Sequence, residues 1–172
     1  TSYVALDNYQ ASYQSVNHLI KNGYKKIGII AYKSALVHMQ ERISGYVDAM
    51  KDAAPGESIL IREIRFNHVD QDIEAVFQDL LVKHKKVDAL YFATNSLSIA
   101  GLYGVKKHEI RIPDELAFLG FDGNESFDFF YSPLSFVEQP IAEMGKESVR
   151  ILVDLLQGSG KTFHSRMKPN LI

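Results

Sequence analysis

Two polar side chains, those of Asn95 and Asp122, each follow a short apolar run at the point where that run stops. The runs are Ala89–Ala93 and Leu116–Phe121, and a segment with helical periodicity, Leu97–Lys107, lies between them. An apolar run, a polar loop, a helix and a second apolar run form the pattern of a βαβ unit. Open α/β sheets bind small ligands beyond the carboxyl ends of their strands. The spacing therefore predicts that Asn95 and Asp122 lie together at a ligand site.

The chemistry available at these two positions suits a polyhydroxylated ligand. A carboxylate at Asp122 could accept hydrogen bonds from two neighbouring hydroxyl groups, as the vicinal diol of a sugar requires. Its alternative role is to stabilise the turn after the strand. The amide of Asn95 both donates and accepts, so it could pair with a hydroxyl in either sense. Its alternative role is to cap the helix that follows.

Three further side chains are candidates for the same site. Arg42 offers five donors in a rigid fork, although a lone arginine on an amphipathic helix commonly forms a solvated salt bridge. His38 comes one helical turn before Arg42 and either lines the same opening or is simply exposed. Phe66 ends a predicted strand and could stack on the apolar face of a sugar ring, but a core position is the commoner explanation.

An alternation of strands and helices must position these residues. Apolar runs such as IGIIA, ALYFA and LAFLGF are nearly continuous, which is typical of parallel strands buried on both faces. The alternation predicts an α/β fold, a doubly wound parallel sheet with right-handed crossovers. Strands are predicted near 2–6, 26–31, 59–66, 87–93, 115–121, 134–138 and 162–171, and helices near 9–22, 36–53, 70–84, 96–108 and 140–157.

Composition narrows the class of protein. The 172 residues suit one domain of ordinary size, and 46% hydrophobic with 23% charged residues are typical of globular proteins. A formal net charge of −2 argues against a dedicated nucleic-acid surface in this chain. No apolar run approaches the roughly 20 residues that span a bilayer. The absence of cysteine excludes disulfides, and the six histidines show no metal-ligand spacing, so neither a metal nor a cofactor is predicted.

Several ordered segments resemble the effector-binding core of LacI/GalR-type bacterial transcription regulators. The chain departs from that family's usual A-N-D at Thr94-Asn95-Ser96, where serine replaces aspartate. The matching segments, in chain order, are Val4–Ala31, R-x-x-G-Y at Arg42–Tyr46, Ala93-Thr94-Asn95, I-x-I-P-D-E-L-A at Ile110–Ala117, Gly120-Phe121-Asp122, Ser132-Pro133-Leu134, Gln139-Pro140 and Met144-Gly145.

The resemblance implies a fold like that of periplasmic binding proteins, in which three crossovers join two subdomains. Residues 1–7 would be the end of the first subdomain and a crossover, and residues 8–136 the second, effector-binding subdomain. Residues 137–159 would form a crossover and a helix returning to the first subdomain, and residues 160–172 the final crossover strand. The chain would therefore hold most of the second subdomain and part of the first. The family's matching glutamine, here Gln139, reaches toward the ligand, so the resemblance adds it to Arg42, Asn95 and Asp122.

The function that the resemblance implies is ligand sensing. We expect a small sugar or sugar-like effector to bind in the cleft between the subdomains and to change the affinity for operator DNA. The DNA-binding headpiece is expected to be absent from this chain, and the regulator is expected to be a cytoplasmic homodimer without a membrane segment. Helices around Ile73–Leu81 and Leu97–Lys107 are both candidate dimer surfaces.

Two other classes of protein remain alternatives. A periplasmic-type sugar-binding protein of a transporter has the same fold, and Phe121-Asp122-Gly123 is closer to that group's usual F-D-G. The segments Ser132–Ser135, Gln139-Pro140 and Met144-Gly145 favour a regulator instead. An enzyme is the third alternative, but no nucleophile motif, metal cluster or dinucleotide glycine set is present, so no catalytic residue is predicted.

Overall fold

The computed structural model describes residues 1–83, 87–123, 125–158 and 160–172. Strands and helices alternate along nearly the whole chain. The strands are β1 (Tyr3–Leu6), β2 (Ile27–Tyr32), β3 (Leu60–Ile64), β4 (Ala89–Phe92), β5 (Ala117–Phe121), β6 (Ser135–Glu138), β7 (His164–Met167) and β8 (Asn170–Leu171). The helices are α1 (Asn8–Lys21), α2 (Val37–Ala53), α3 (Val69–Phe77), α4 (Asn95–Lys107), α5 (Glu125–Asp128) and α6 (Ile141–Leu156). A 3₁₀ turn (Phe66–His68) precedes α3, and a π-helical stretch (Gln78–Lys83) follows it.

Six strands form the main sheet in the order β3-β2-β4-β5-β6-β8. The first five strands in this order pair in parallel, and only β8 is antiparallel to its neighbour β6. The predicted doubly wound, mostly parallel α/β sheet is confirmed. The carboxyl ends of β2, β4 and β5 consequently lie at one edge, and the chain between them carries the predicted site residues.

Hydrophobic cores cover both faces of the main sheet. Along β4, Ala89 and Tyr91 belong to the core under α1 and α2, whereas Leu90 and Phe92 belong to the core under α3 and α4. All four are completely buried. This double burial explains why the strand reads as an unbroken apolar run rather than as an alternating one.

A close approach between α1 and α2 depends on Gly45. A Cβ atom there would overlap the backbone carbonyl oxygen of Tyr9 and would crowd Ser12. Glycine lets the two helix backbones come into contact, and this contact sets the depth of α2 against the sheet. Arg42 lies one turn earlier on the same helix, so its position depends on this contact.

A smaller unit consists of β1, β7 and α6. The strands β1 and β7 form a separate two-stranded parallel sheet with Leu6 opposite Met167. Ile151 is the buried residue of α6, whereas Ile141, Val149 and Leu156 are more than half exposed. The large apolar face of α6 therefore stays mostly uncovered in this structure.

The structure differs from the predicted elements in four places, and the first is the helix predicted at 70–84, which is α-helical only to Phe77 and π-helical over Gln78–Lys83. The single strand predicted at 162–171 is two short strands, β7 and β8, which belong to different sheets. The strand predicted at 59–66 ends at Ile64, because the chain turns into the 3₁₀ segment. A short helix, α5, lies where no element was predicted. The predicted helix end at His84 and Ser159 of the predicted 137–159 segment lie outside the described residues.

Within the described ranges, no helix combines the length and apolar character that a membrane crossing requires.

Candidate effector-binding site

Asn95 and Asp122 are in direct contact at the carboxyl edge of the main sheet. Asp122 follows the last residue of β5, and Asn95 begins α4 shortly after β4 ends. The side-chain amide of Asn95 donates a hydrogen bond to the backbone carbonyl oxygen of Asp122. The predicted proximity of these two residues is thus present in the structure.

Thr94, and not Asn95, caps the helix α4. Thr94 is the N-cap of α4, and its hydroxyl oxygen accepts from the backbone N–H of Leu97 at 3.3 Å. Ser96 stands where LacI/GalR-type regulators usually have aspartate. Its hydroxyl oxygen lies 3.0 Å from the hydroxyl oxygen of Tyr32. Because Thr94 caps the helix, the amide of Asn95 is turned toward Asp122 instead.

Asp122 has an unusual backbone. Its φ of 54° lies in the left-handed region, which aspartate and asparagine tolerate better than most residues. Its N–H donates to the carbonyl oxygen of Val137 at 2.7 Å, which fastens the turn to β6. The following residue is glycine, since a Cβ atom at Gly123 would overlap the ring of Phe136.

The carboxylate of Asp122 is held by Gln139. The Gln139 side-chain Nε2 donates to Asp122 Oδ2 at 2.7 Å. Burial raises the pKa of Asp122 above its ordinary value, whereas hydrogen bonds from Gln139 and the positive charge of Arg42 oppose that rise. The candidate site therefore contains a partly buried carboxylate, and Gln139 and Arg42 favour its charged form.

Arg42 is buried rather than solvated, with 7% of its surface exposed. Its Nε donates to Asn8 Oδ1 at 2.9 Å, and its Nη1 donates to the carbonyl oxygen of Ala93 at 2.5 Å. The guanidinium carbon lies 3.6 Å from the centre of the Phe121 ring. Burial lowers the pKa of Arg42, and nearby Tyr91, Asp122 and Glu41 act in the opposite direction. The solvated salt bridge weighed as the alternative is not what the structure shows.

Asn8 is the residue that sequence reasoning missed. It is 5% exposed, and its Nδ2 donates to the carbonyl oxygen of Leu6 at 3.0 Å while its Oδ1 accepts from Arg42. The adjacent Asp7 caps α1 through the N–H of Gln10. Asp7 and Asn8 could both cap α1, but a helix needs only one cap. The sequence could therefore have indicated that one of the two side chains bonds elsewhere.

Phe66 and His38 lie at the periphery of the site. Phe66 is 77% exposed, which excludes the core role considered for it, and its ring lies 5.3 Å from that of Tyr32 in a tilted arrangement. His38 is exposed near the start of α2. Partial burial and the charge of Arg42 lower the pKa of the His38 imidazole. Both side chains therefore remain accessible to a molecule at the sheet edge.

The aromatic segment 127–131 does not act as one unit. Phe127 is 6% exposed and packs edge-on against Phe118 and Phe136 in the core. Phe129 is 88% exposed and lines a shallow groove of about 330 Å³ beside Tyr103 of α4. In the described parts of the chain, no group of three or more metal-ligating side chains is present.

Comparison with known proteins assigns this chain to a family. The model of the family described as "Periplasmic binding protein-like domain" matches residues 16–172. The repressor CytR of Escherichia coli K12 is 28% identical over 167 residues, which cover 95% of this chain and 48% of CytR. The regulator CelR of Thermobifida fusca is 30% identical over 158 residues, 91% of this chain and 46% of CelR. The chain thus spans about half the length of these curated relatives.

Solved structures show the same fold. A LacI-family regulatory protein from Chloroflexus aggregans is 27% identical with a TM-score of 0.85, covering 100% of this chain and 62% of that protein. A CelR–cellobiose complex has a TM-score of 0.85 at 24% identity, covering 100% of this chain and 53% of the other, and this likeness shows the fold. The resemblance stated from the sequence is confirmed: the chain belongs to the periplasmic binding protein-like domain family, and its relatives are LacI-type transcriptional regulators.

Proposed function

We propose that this chain is the ligand-sensing part of a LacI-type regulator and that it binds a small sugar or sugar-like effector at the carboxyl edge of the main sheet. The observation that carries the proposal is the convergence of Arg42, Asn95 and Asp122, which lie far apart in the sequence. Asn95 contacts Asp122, and the Arg42 guanidinium stacks on Phe121, the residue before Asp122.

The chemistry of this cluster suits a polyhydroxylated molecule. A carboxylate accepts hydrogen bonds, a guanidinium donates them, and an amide does both, so hydroxyl groups of either orientation find a partner. The exposed ring of Phe66 could cover the apolar face of a sugar, and His38 and Gln139 would complete the polar rim. Ligand pockets commonly combine such an apolar surface with a few convergent polar groups.

The relatives favour regulation over the two alternatives. CytR and CelR are transcriptional regulators, not transport proteins or enzymes, and a CelR structure is described as a cellobiose complex. Binding of operator DNA is proposed for the whole regulator in the cytoplasm, through a part outside this chain. Coupling between effector and operator would then require different contacts in two states and is typically about 1–3 kcal/mol.

We further propose that the regulator pairs with a second copy through α4 rather than α3. The apolar residues Ile73, Val76 and Phe77 of α3 are buried in the core, so little apolar surface is left on that helix. On α4, Tyr103 is 71% exposed and borders the groove that Phe129 lines. Exposed aromatic side chains beside a groove are typical of association surfaces. Light scattering should show that Tyr103→Glu lowers the dimer fraction, whereas an unchanged dimer would assign pairing to another surface.

Calorimetric titration with D-ribose, D-glucose and cellobiose tests the ligand proposal. At least one sugar should bind the wild-type chain, and Asp122→Asn should lose that binding because an amide cannot replace the carboxylate as a double acceptor. Asp114→Asn is the matched control, since Asp114 is exposed and precedes β5 at the opposite edge of the sheet. Equal affinity in the wild type and Asp122→Asn would remove Asp122 from the site.

A further inference from the structure

Gln139 occupies the short crossover between β6 and α6. Strand β6 ends at Glu138, and α6 begins at Ile141. The crossover leaves the main sheet here and leads to the unit of β1, β7 and α6. A side chain at this position can therefore contact both the candidate site and the segment that leaves it.

The side chain of Gln139 donates a hydrogen bond to the Asp122 carboxylate. Its Nε2 lies 2.7 Å from Asp122 Oδ2, and the nearby Gln139 backbone N–H also helps to lower the pKa of the Asp122 carboxyl. One residue earlier on β6, the carbonyl oxygen of Val137 accepts from the Asp122 N–H at 2.7 Å. From the α4 side, the Asn95 amide holds the Asp122 carbonyl oxygen. Asp122 is thus held at three of its polar groups, and its carboxylate is held by Gln139.

The hydrogen bond from Gln139 matters for the charge of Asp122, because burial and a neighbouring acid oppose ionisation of its carboxyl. Burial is the largest influence and raises the pKa of Asp122. Glu138, the last residue of β6 and the neighbour of Gln139, raises it further, whereas Gln139 and Arg42 of α2 lower it. A carboxylate with a like charge beside it and partial burial needs donors to stay ionised. The amide of Gln139 is a neutral donor that meets this need without adding charge.

We propose that Gln139 is a positioning residue, which orients the Asp122 carboxylate for ligand binding and fastens it to the crossover between β6 and α6. That the ligand is a sugar rests on the function proposed above, whereas the contact between Gln139 and Asp122 does not. If Gln139 served only as a direct ligand contact, removing its amide would leave the ligand-free Asp122 carboxyl unchanged.

Carbon-13 NMR titration of the Asp122 side-chain carboxyl, without any sugar present, tests this role. Gln139→Met keeps the length of the side chain and removes the donor, so the pKa of Asp122 should rise above its wild-type value. Gln139→Asn, whose amide is one methylene shorter, should raise it as well and provides a second variant if the first folds poorly. Gln157→Met is the matched control, because Gln157 is exposed at the end of α6.

An Asp122 pKa that is the same in the wild type, both Gln139 variants and Gln157→Met would overturn the proposal. An increase only in the Gln139 variants would support it. Because the titration contains no sugar, it decides the positioning role even if none of the tested sugars binds. Loss of sugar binding in Asp122→Asn with an unchanged titration in Gln139→Met would keep the proposed function and discard the positioning role.

Discussion

The helices α4 and α6 are both amphipathic, but they differ in what covers their apolar faces. Along α4, Leu97, Leu102 and Val105 are buried against the main sheet. Along α6, the corresponding apolar positions lie beside a two-stranded sheet, and Leu152 remains 55% exposed. An apolar stripe therefore predicts the buried side of a helix only when a surface large enough to cover the stripe is present.

The same difference extends to charged residues. Arg42 on α2 is buried among an amide, a carbonyl group and an aromatic ring, whereas Arg150 on α6 is exposed and bonds to Glu147 and Asp154 of its own helix. The first arginine is part of the core and of the candidate site, whereas the second forms ion pairs on the surface. Matched substitutions in the two regions can therefore separate structural from superficial interactions.

The largest effect is expected from the two arginines. Arg42→Ala leaves Asn8 Oδ1 and the Ala93 carbonyl oxygen buried without their donor, which should cost roughly 3 kcal/mol of the free energy of unfolding. Arg150→Ala should lower the free energy of unfolding only slightly, far less than Arg42→Ala does, because exposed ion pairs contribute little. Urea unfolding followed by circular dichroism measures both. Similar losses in the two variants would mean that α6 is as well packed as α2.

A smaller effect is expected from two helical glycines. At Gly45 an added Cβ atom meets the Tyr9 backbone, so Gly45→Ala should destabilise by about 1–3 kcal/mol through forced helix separation. At Gly145 of α6 nothing lies within 4 Å, so Gly145→Ala should stabilise by up to about 1 kcal/mol through helix propensity. Thermal unfolding of the two variants should shift the melting temperature in opposite directions. A fall in both would indicate that α6 also packs closely at Gly145.

The smallest effect is a pH dependence with opposite sign in the two regions. Burial raises the pKa of Asp122 above 3.8, so the folded state binds its proton more tightly than the unfolded state does. Above the raised pKa the carboxyl is ionised, and this ionisation lowers the stability of the folded state. The loss disappears as the pH falls below the ordinary value of 3.8. Asp122→Asn, which also tolerates the left-handed backbone, should stabilise the ligand-free chain at pH 7 and lose that advantage in acid.

Glu147 on α6 should behave in the opposite way. The hydrogen bond from Arg150 lowers the pKa of Glu147 below 4.5, so this carboxylate stabilises the folded state at neutral pH and loses that contribution as the pH falls through its lowered value. Glu147→Gln should therefore be slightly destabilising at pH 7 and neutral in acid. Unfolding midpoints of the two variants, relative to the wild type, should be measured between pH 3 and pH 7. The same pH dependence in both variants would contradict the opposite pKa shifts of Asp122 and Glu147.

Strand-end polarity was the most informative sequence signal. Asn95 and Asp122 were placed together because parallel strands end at one edge of a sheet, and the structure shows them in contact. Their assignment to ligand binding stays a prediction, as do the subdomain boundaries at 8–136 and 137–159. The partners of Arg42 could not be predicted, since Asn8 and Ala93 approach it only through the packing of α1, α2 and β4.

Short-range patterns in the sequence predict most of the order of strands and helices and the parallel class of the main sheet, because periodicity and turn residues act over short separations, and the ordered motifs resemble the family. Only the assembled fold shows that Gln139 holds the Asp122 carboxylate, that Thr94 rather than Asn95 caps α4, and that Phe66 is exposed. These outcomes depend on which groups meet after the sheet assembles. Hydrogen-bond partners and burial are properties of distant contacts, whereas local patterns describe only neighbours along the chain.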